Sequence, residues 1–377
     1  MVHELSEHSR PMGQTAWAEP FTSRSMVNLG SSVVAPVTLD ELAELTDRDS
    51  ADMLPRSLSF DYAPPGGSLP VREAVATLEF PDFVPENISI TNGAGDGLAM
   101  VAELTCRPDS HVIIEVPVHE SVLATARRRG CAVTLIQAPV TLDDIAEAIH
   151  PNTAAVFLSS PHNPTGQVLT EGFLRHAARE LEPGGGLLVV DEVYRGVGLG
   201  VGEVPPPVAS IAQNGVSVGS LSKVYGLPGL RLGWVAGPTL LVDDVRSLQR
   251  WTTRSPANST QAIGVFALES RGRLLGRARS LIYDGFAELA AICESIPGIA
   301  LPVPDGGTTA WAEVSVADVD LWCEQLAEDH GLLLAPGHAC FGIPGHVRIG
   351  LGLRADARLA GYLLLDKALS QSLRVKV

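Results

Sequence analysis

The stretch GSLSKVYGLPGLRLGW, Gly219 to Trp234, sets two cations, Lys223 and Arg231, among small, branched and aromatic residues, with no carboxylate inside it to neutralise either. If the segment is buried, both charges need partners from elsewhere in the fold or from a ligand. Taken alone, the lysine reads as a side chain snorkelling to solvent from a strand end. What the rest of the chain brings to the same place decides between that reading and a functional one.

Working outward, from about Pro85 to Gly237 short β-branched runs alternate with longer helix-compatible stretches. The pattern predicts strands at 88–91, 111–116, 132–136, 154–159, 187–190, 216–220 and 232–237. It predicts helices at 96–104, 120–129, 142–150 and 171–181. Apolar strands alternating with helices imply an α/β fold: a large domain with a mostly parallel seven-stranded sheet flanked by helices. Ligands bind such sheets beyond the carboxyl ends of the strands. The polar punctuation falls at those ends: NGAGDG, PVHES, SPHNPTG, DEVY and LSK each follow a predicted strand. Five such tips on one side of one sheet imply a single ligand that gathers them.

The C-terminal third reads as a smaller α/β domain. A long helical stretch (240–296, interrupted near Pro256) is followed by TTAWAEVS, a helix over 319–330, GLLLAPG and HVRIGLG. The expected organisation is an N-terminal arm over 1–44, a large domain over 45–245 and a small domain over 246–377. A formal charge of −16 disfavours binding to nucleic acid or an anionic membrane. Five cysteines without a CxxC indicate neither a disulfide framework nor a zinc site, and no metal site is expected. With no apolar leader and no run of 18 apolar residues, the expected compartment is a reducing cytoplasm.

Asp191 ends an apolar run, where an isolated carboxylate is expensive to keep ionised unless it caps a helix or holds a cationic ligand atom. Tyr194, three residues on, can set a hydroxyl beside the same ligand or serve as a core residue. NGAGDG (Asn92–Gly97) opens a helix, so its free N–H groups suit a phosphate, although it matches neither GxGxxG nor the P-loop. Ser220, Ser222 and Arg231 flank Lys223 with hydroxyls and a fixed fork of donors. A phosphate would explain Arg231 without a protein carboxylate.

The set SPHNPTG, VVDEVY and SLSKVYGLPGLRLGW, with 28 residues from Asn163 to Asp191, 32 from Asp191 to Lys223 and 8 from Lys223 to Arg231, resembles the class I/II aminotransferases, fold-type I pyridoxal-phosphate enzymes. The resemblance covers about Tyr62 to Leu353. It implies that Lys223 carries the cofactor as an internal aldimine and moves the proton, and that Asp191 pairs with the pyridinium nitrogen. Asn163 and Tyr194 would bond the ring O3′, and Ala94, Gly95, Ser220, Ser222 and Arg231 the phosphate. Arg348, in HVRIGLG, matches the arginine that takes the substrate carboxylate. Gly30, in NLGSSVV, lies in the segment that covers the substrate. Tyr62 matches a tyrosine that reaches the phosphate of the other subunit, which implies a homodimer with shared active sites.

Two departures stand out. The ring-stacking aromatic of the family falls on His119, and imidazole can stack or exchange a proton. APGHACFG (Ala335–Gly342) is one residue longer than the usual PG-x-x-FG. The leading expectation is transamination of an α-amino acid with a keto acid. The alternative is elimination or cyclisation in secondary metabolism, because PVPDGGTTAW…HGLLLAPG…VRIG is similar to capreomycidine synthase. A transcription regulator with an aminotransferase-like domain is disfavoured, since the residues before Tyr62 are not basic.

Overall fold

The computed structural model describes residues 13–21, 27–54, 57–201, 204–296 and 298–374. A short first strand, β1 (Val27–Asn28), lies outside the main sheet. That sheet has seven strands: β2 (Ile88–Thr91), β3 (His111–Val116), β4 (Ala132–Gln137), β5 (Thr153–Ser159), β6 (Leu187–Asp191), β7 (Gly215–Ser220) and β8 (Gly233–Ala236). Their spatial order is β2-β8-β7-β6-β5-β3-β4. Pairing is parallel from β4 through to β7, while β8 runs antiparallel to both β7 and β2. β2 therefore points the same way as β7. All five polar tips leave the sheet at one edge.

Two-residue alternation explains why both faces are covered. Ala155 and Phe157 of β5 and Val189 of β6 pack with Leu98 and Val101 of the helix Ala94–Thr105. Val156 and Leu158, with Leu188 and Val190, pack on the other face with Leu174 and Ala178 of the helix Glu171–Leu181. Each such side chain contributes about 1.5–3 kcal/mol through burial. The sheet is thus a rigid platform for the tips at its edge.

A few boundaries differ from expectation. Asp191 is the last residue of β6 and not the first of a loop, since its backbone still pairs with Ser159 and Val218. The strand expected over 232–237 is trimmed to Gly233–Ala236, and the helix expected to reach His150 ends at Ala148. The stretch 240–296 is three helices, Thr239–Gln249, Asn258–Glu269 and Arg271–Glu294. Pro256, which lacks an N–H, falls in the first break. The second break, at Ser270, carried no proline signal.

The remaining strands are β9 (Ile299–Ala300), β10 (Thr309–Val314), β11 (Leu332–Leu333), β12 (Ala335–Pro336) and β13 (His346–Gly350). Four form an antiparallel sheet in the order β12-β13-β10-β9, and Arg348 sits at its centre, opposite Trp311 and Ala335. β11 pairs instead with β1 in parallel. The Gly30 N–H continues this contact to the Leu333 carbonyl at 2.9 Å, and the Leu29 carbonyl accepts from the Gly350 N–H of β13, so the N-terminal segment reaches the four-stranded sheet as well. Among the described residues no helix is long and apolar enough to cross a membrane, and no side-chain cluster could hold a metal ion.

Candidate active site

All the expected site residues except Tyr62, Gly30 and Arg348 line one cavity of about 470 Å³ at the carboxyl edge of the main sheet. After β7 the chain turns through a loop closed by the Leu221 N–H on the Leu232 carbonyl, 3.0 Å. This turn presents Lys223, whose Nζ donates to Ser32 Oγ at 3.0 Å and lies 5.8 Å from the centre of the Tyr194 ring. The Tyr194 hydroxyl donates to the same Ser32 oxygen, also at 3.0 Å. Lys223 points into the protein, so it is not a snorkelling side chain.

Asp191 is half-buried, lines the cavity and receives one backbone N–H, from Val193 at 3.2 Å. Burial pushes its pKa up to about 6, against the pull of that N–H and of the Lys223 charge. A carboxylate desolvated in this way and lacking a close cation suits a protonated ring nitrogen. The linkage has a definite sign. With the native pKa above the ordinary 3.8, the folded state holds the proton longer than the unfolded chain, so stability falls as pH rises from about 4 to about 6. Cofactor-stripped Asp191→Asn should therefore unfold at a higher temperature than the stripped parent at pH 8, with the difference disappearing below pH 4. Thermal scans that show the same gap at both pH values would count against a desolvated Asp191.

The phosphate-type donors gather at the other end. Ala94 and Gly95 begin the helix Ala94–Thr105, whose first amides have no intrahelical acceptor. Gly93 precedes them at φ 89°, and a Cβ there would lie 2.6 Å from Arg231 Nη2. That positive φ favours glycine, and a side chain there would also push the Arg231 guanidinium out of place. Arg231 donates to Ser222 Oγ at 3.4 Å and to the Asn92 carbonyl at 3.3 Å, and the Ser220 hydroxyl accepts from the Ser222 N–H. No carboxylate pairs with Arg231 among the described residues.

His119 caps the helix Glu120–Arg129 through Nδ1, which also bonds the Ser121 hydroxyl at 2.8 Å. Its ring lies against Gly95, where a Cβ would come within 2.8 Å of Cε1. Burial, then the charges of Lys223 and Arg231, lower its pKa and keep the imidazole neutral at pH 7.

Arg348 stands behind the cavity, fully buried. Nη1 donates to Asn163 Oδ1 at 2.8 Å and Nη2 to the Gly30 carbonyl, while Nε has no partner. Its guanidinium lies 5.1 Å from the centre of the Phe341 ring. The segment APGHACFG, one residue long, folds as the short helix Gly337–Phe341 that carries this ring. Gly30 thus meets Arg348 through its carbonyl. Tyr62 does not join the group: it is 77% exposed, with the Arg254 guanidinium 4.2 Å from its ring centre.

The sequence did not single out Ser32, which joins Lys223 to Tyr194, or Gln14, Phe341 and Glu120 in the cavity wall. A serine in NLGSSVV offers no local signal. Its neighbour Lys223 is 191 positions away.

The aminotransferase class I and II family matches residues 24–358. The chain is 24% identical to an aspartate aminotransferase of Streptomyces avermitilis, over 82% of either protein. It is 27% identical to the capreomycidine synthase of Streptomyces vinaceus, over 89% of this chain and 87% of that one. A crystal structure of a PLP-dependent aminotransferase from Streptococcus suis superposes with a TM-score of 0.91 at 26% identity, over 96% of this chain and 98% of the other. The chain belongs to the class I and II aminotransferases: it is a fold-type I transferase that works with pyridoxal phosphate. The half-buried Asp191, the unpaired Arg231 beside a helix start and the inward Lys223 are a donor and acceptor set that fits this cofactor.

Proposed function

We propose that this aminotransferase moves the amino group of an α-amino acid to a keto acid with Lys223 as its base and Arg348 as its carboxylate anchor. The observation that carries this is Arg348: among the described residues it is a buried cation without an ion pair, its Nε unpartnered, next to a cavity that holds Lys223. Such a fork needs a carboxylate, and every amino acid has one.

Lys223 would hold the cofactor covalently, Asp191 its ring nitrogen, and Ala94, Gly95, Ser220, Ser222 and Arg231 its phosphate. When bound, pyridoxal phosphate supplies an electron sink for the pair left on Cα. The protein does the rest. Lys223 Nζ takes and returns the Cα proton, and the Ser32 and Tyr194 hydroxyls keep the amine in place. Arg348 keeps the carboxylate paired and charged, which favours breaking Cα–H over losing the carboxylate. Asn163, bonded to Arg348 through Oδ1, links the anchor to the ring pocket. Tyr62, exposed on its own chain, would complete the site of a second copy, and a homodimer follows from that.

Loss of one partner of a buried charged pair is costly. Arg348→Ala should lower kcat/KM for an amino acid by about 100-fold or more, mainly through KM, and leave the visible spectrum of the resting holoenzyme unchanged. Unaltered kinetics would point to a substrate without a carboxylate, with simple amines the first to try.

A second reading, cyclisation or elimination at the side chain, is supported by the likeness to capreomycidine synthase and by the neutral imidazole of His119 in the wall. Product analysis separates the two. Transamination consumes a keto acid and releases another, whereas the alternative leaves the keto acid untouched.

A further inference from the structure

One charged group in the cavity wall has no part in the roles above. The wall holds two carboxylates, Asp191 and Glu120. Asp191, half-buried in that wall, feels the charge of Lys223. Glu120 opens the helix Glu120–Arg129 beside His119, and its Oε1 accepts a single hydrogen bond, from the Gly13 N–H at 3.2 Å. Among the described residues no arginine, lysine or histidine forms an ion pair with it.

The charges balance everywhere else. Arg231 would answer the phosphate, Arg348 the α-carboxylate, and Asp191 the ring nitrogen. That leaves Glu120 as an anion without an ion pair among the described residues, in a wall that also presents Val33, Val116, Val118, Leu123 and Phe341. A carboxylate in a partly dry, apolar wall attracts a cation and repels an anion. The methylene groups of a long side chain suit the apolar surfaces around it.

We infer that Glu120 selects an amino acid whose side chain ends in a positive charge, a guanidinium or an ammonium. This rests on the reading of the cavity as an amino-acid site. A purely structural role is the rival: the Glu120 carboxylate lies at a helix start and ties the first amide of the helix Gly13–Ala18 across the opening. The two differ in what they require. The tie needs only an oxygen acceptor, whereas selection needs the charge.

Glu120→Gln keeps the acceptor and removes the charge. The test uses the holoenzyme and the reaction of its visible chromophore with L-arginine, L-lysine, L-norleucine and L-glutamate, each followed to kcat/KM. The parent should prefer arginine or lysine over norleucine, with glutamate poorest. In Glu120→Gln the ratio of the better cationic substrate to norleucine should fall by about 30-fold, the range of a hydrogen bond to a charged partner. A larger fall for arginine identifies the guanidinium, and equal falls identify a general cation site. A ratio unchanged by the substitution, or a parent enzyme that prefers norleucine or glutamate, overturns the assignment of Glu120 while leaving the aminotransferase site intact. Reaction with none of the four overturns the amino-acid site itself and this inference with it.

Discussion

Lys223→Ala should keep its fold and lose turnover by about four orders of magnitude, the upper range of what one positioned acid–base group supplies. The chain has only three lysines, Lys223, Lys367 and Lys376. Among the described residues, which include Lys223 and Lys367, only Lys223 borders the cavity. The side-chain hydrogen bond to Ser32 Oγ at 3.0 Å contributes about 1 kcal/mol, so the far-ultraviolet circular dichroism should match the parent. Borohydride reduction of the parent holoenzyme followed by peptide mapping should place the pyridoxyl group on Lys223. A label on Lys367 or Lys376, or a variant with near-parent turnover, would remove Lys223 from the chemistry.

The second large effect concerns the carboxylate at the end of β6. Asp191→Ala should weaken retention of the cofactor and slow exchange of the Cα proton by about 10³-fold, comparable to removing a preorganised electrostatic partner from an active site. The group is half-buried and lies in a sheet whose backbone stays paired on both sides of it, so the residue is held without help from the ligand. Nothing else among the described carboxylates can take over, since Glu120 lies in the wall and Glu192 accepts from the Val208 N–H at 2.7 Å. Proton exchange measured in deuterated water, with turnover close to the parent value, would mean that the ring nitrogen is held in another way.

Much of this was legible before any coordinates. The runs at 111–116, 154–159 and 187–190 are apolar and β-branched enough to be buried on two faces, and they are. Because parallel strands share a direction, their polar ends had to share an edge. That put Ala94, His119, Asn163, Asp191 and Lys223 in one place by topology, without knowledge of any side chain. The break at Ser270 was not legible, because serine neither blocks a helix, as proline does, nor has glycine's freedom. The one-residue extension of β6 to include Asp191 was equally silent, since a carboxylate at a strand end and one at a loop start look the same in a string of letters.

What the sequence alone determined is the platform: seven strands, their edge, and the residue types delivered there, since periodicity and spacing are local properties of the chain. Which side chains meet across that edge depends on the folded chain as a whole. Ser32 meets Lys223 across 191 positions, and Arg348 meets Gly30 across 318. Gly13 meets Glu120 across 107. These contacts come from the N-terminal segment folding back onto the C-terminal sheet through β1 and β11, a pairing of two residues on either strand. Two-residue strands carry almost no pattern, and the energy that sets them is the burial of Leu29, Leu332 and Leu334 in a common core. Such burial is a property of the closed fold and has no counterpart in the chain read residue by residue.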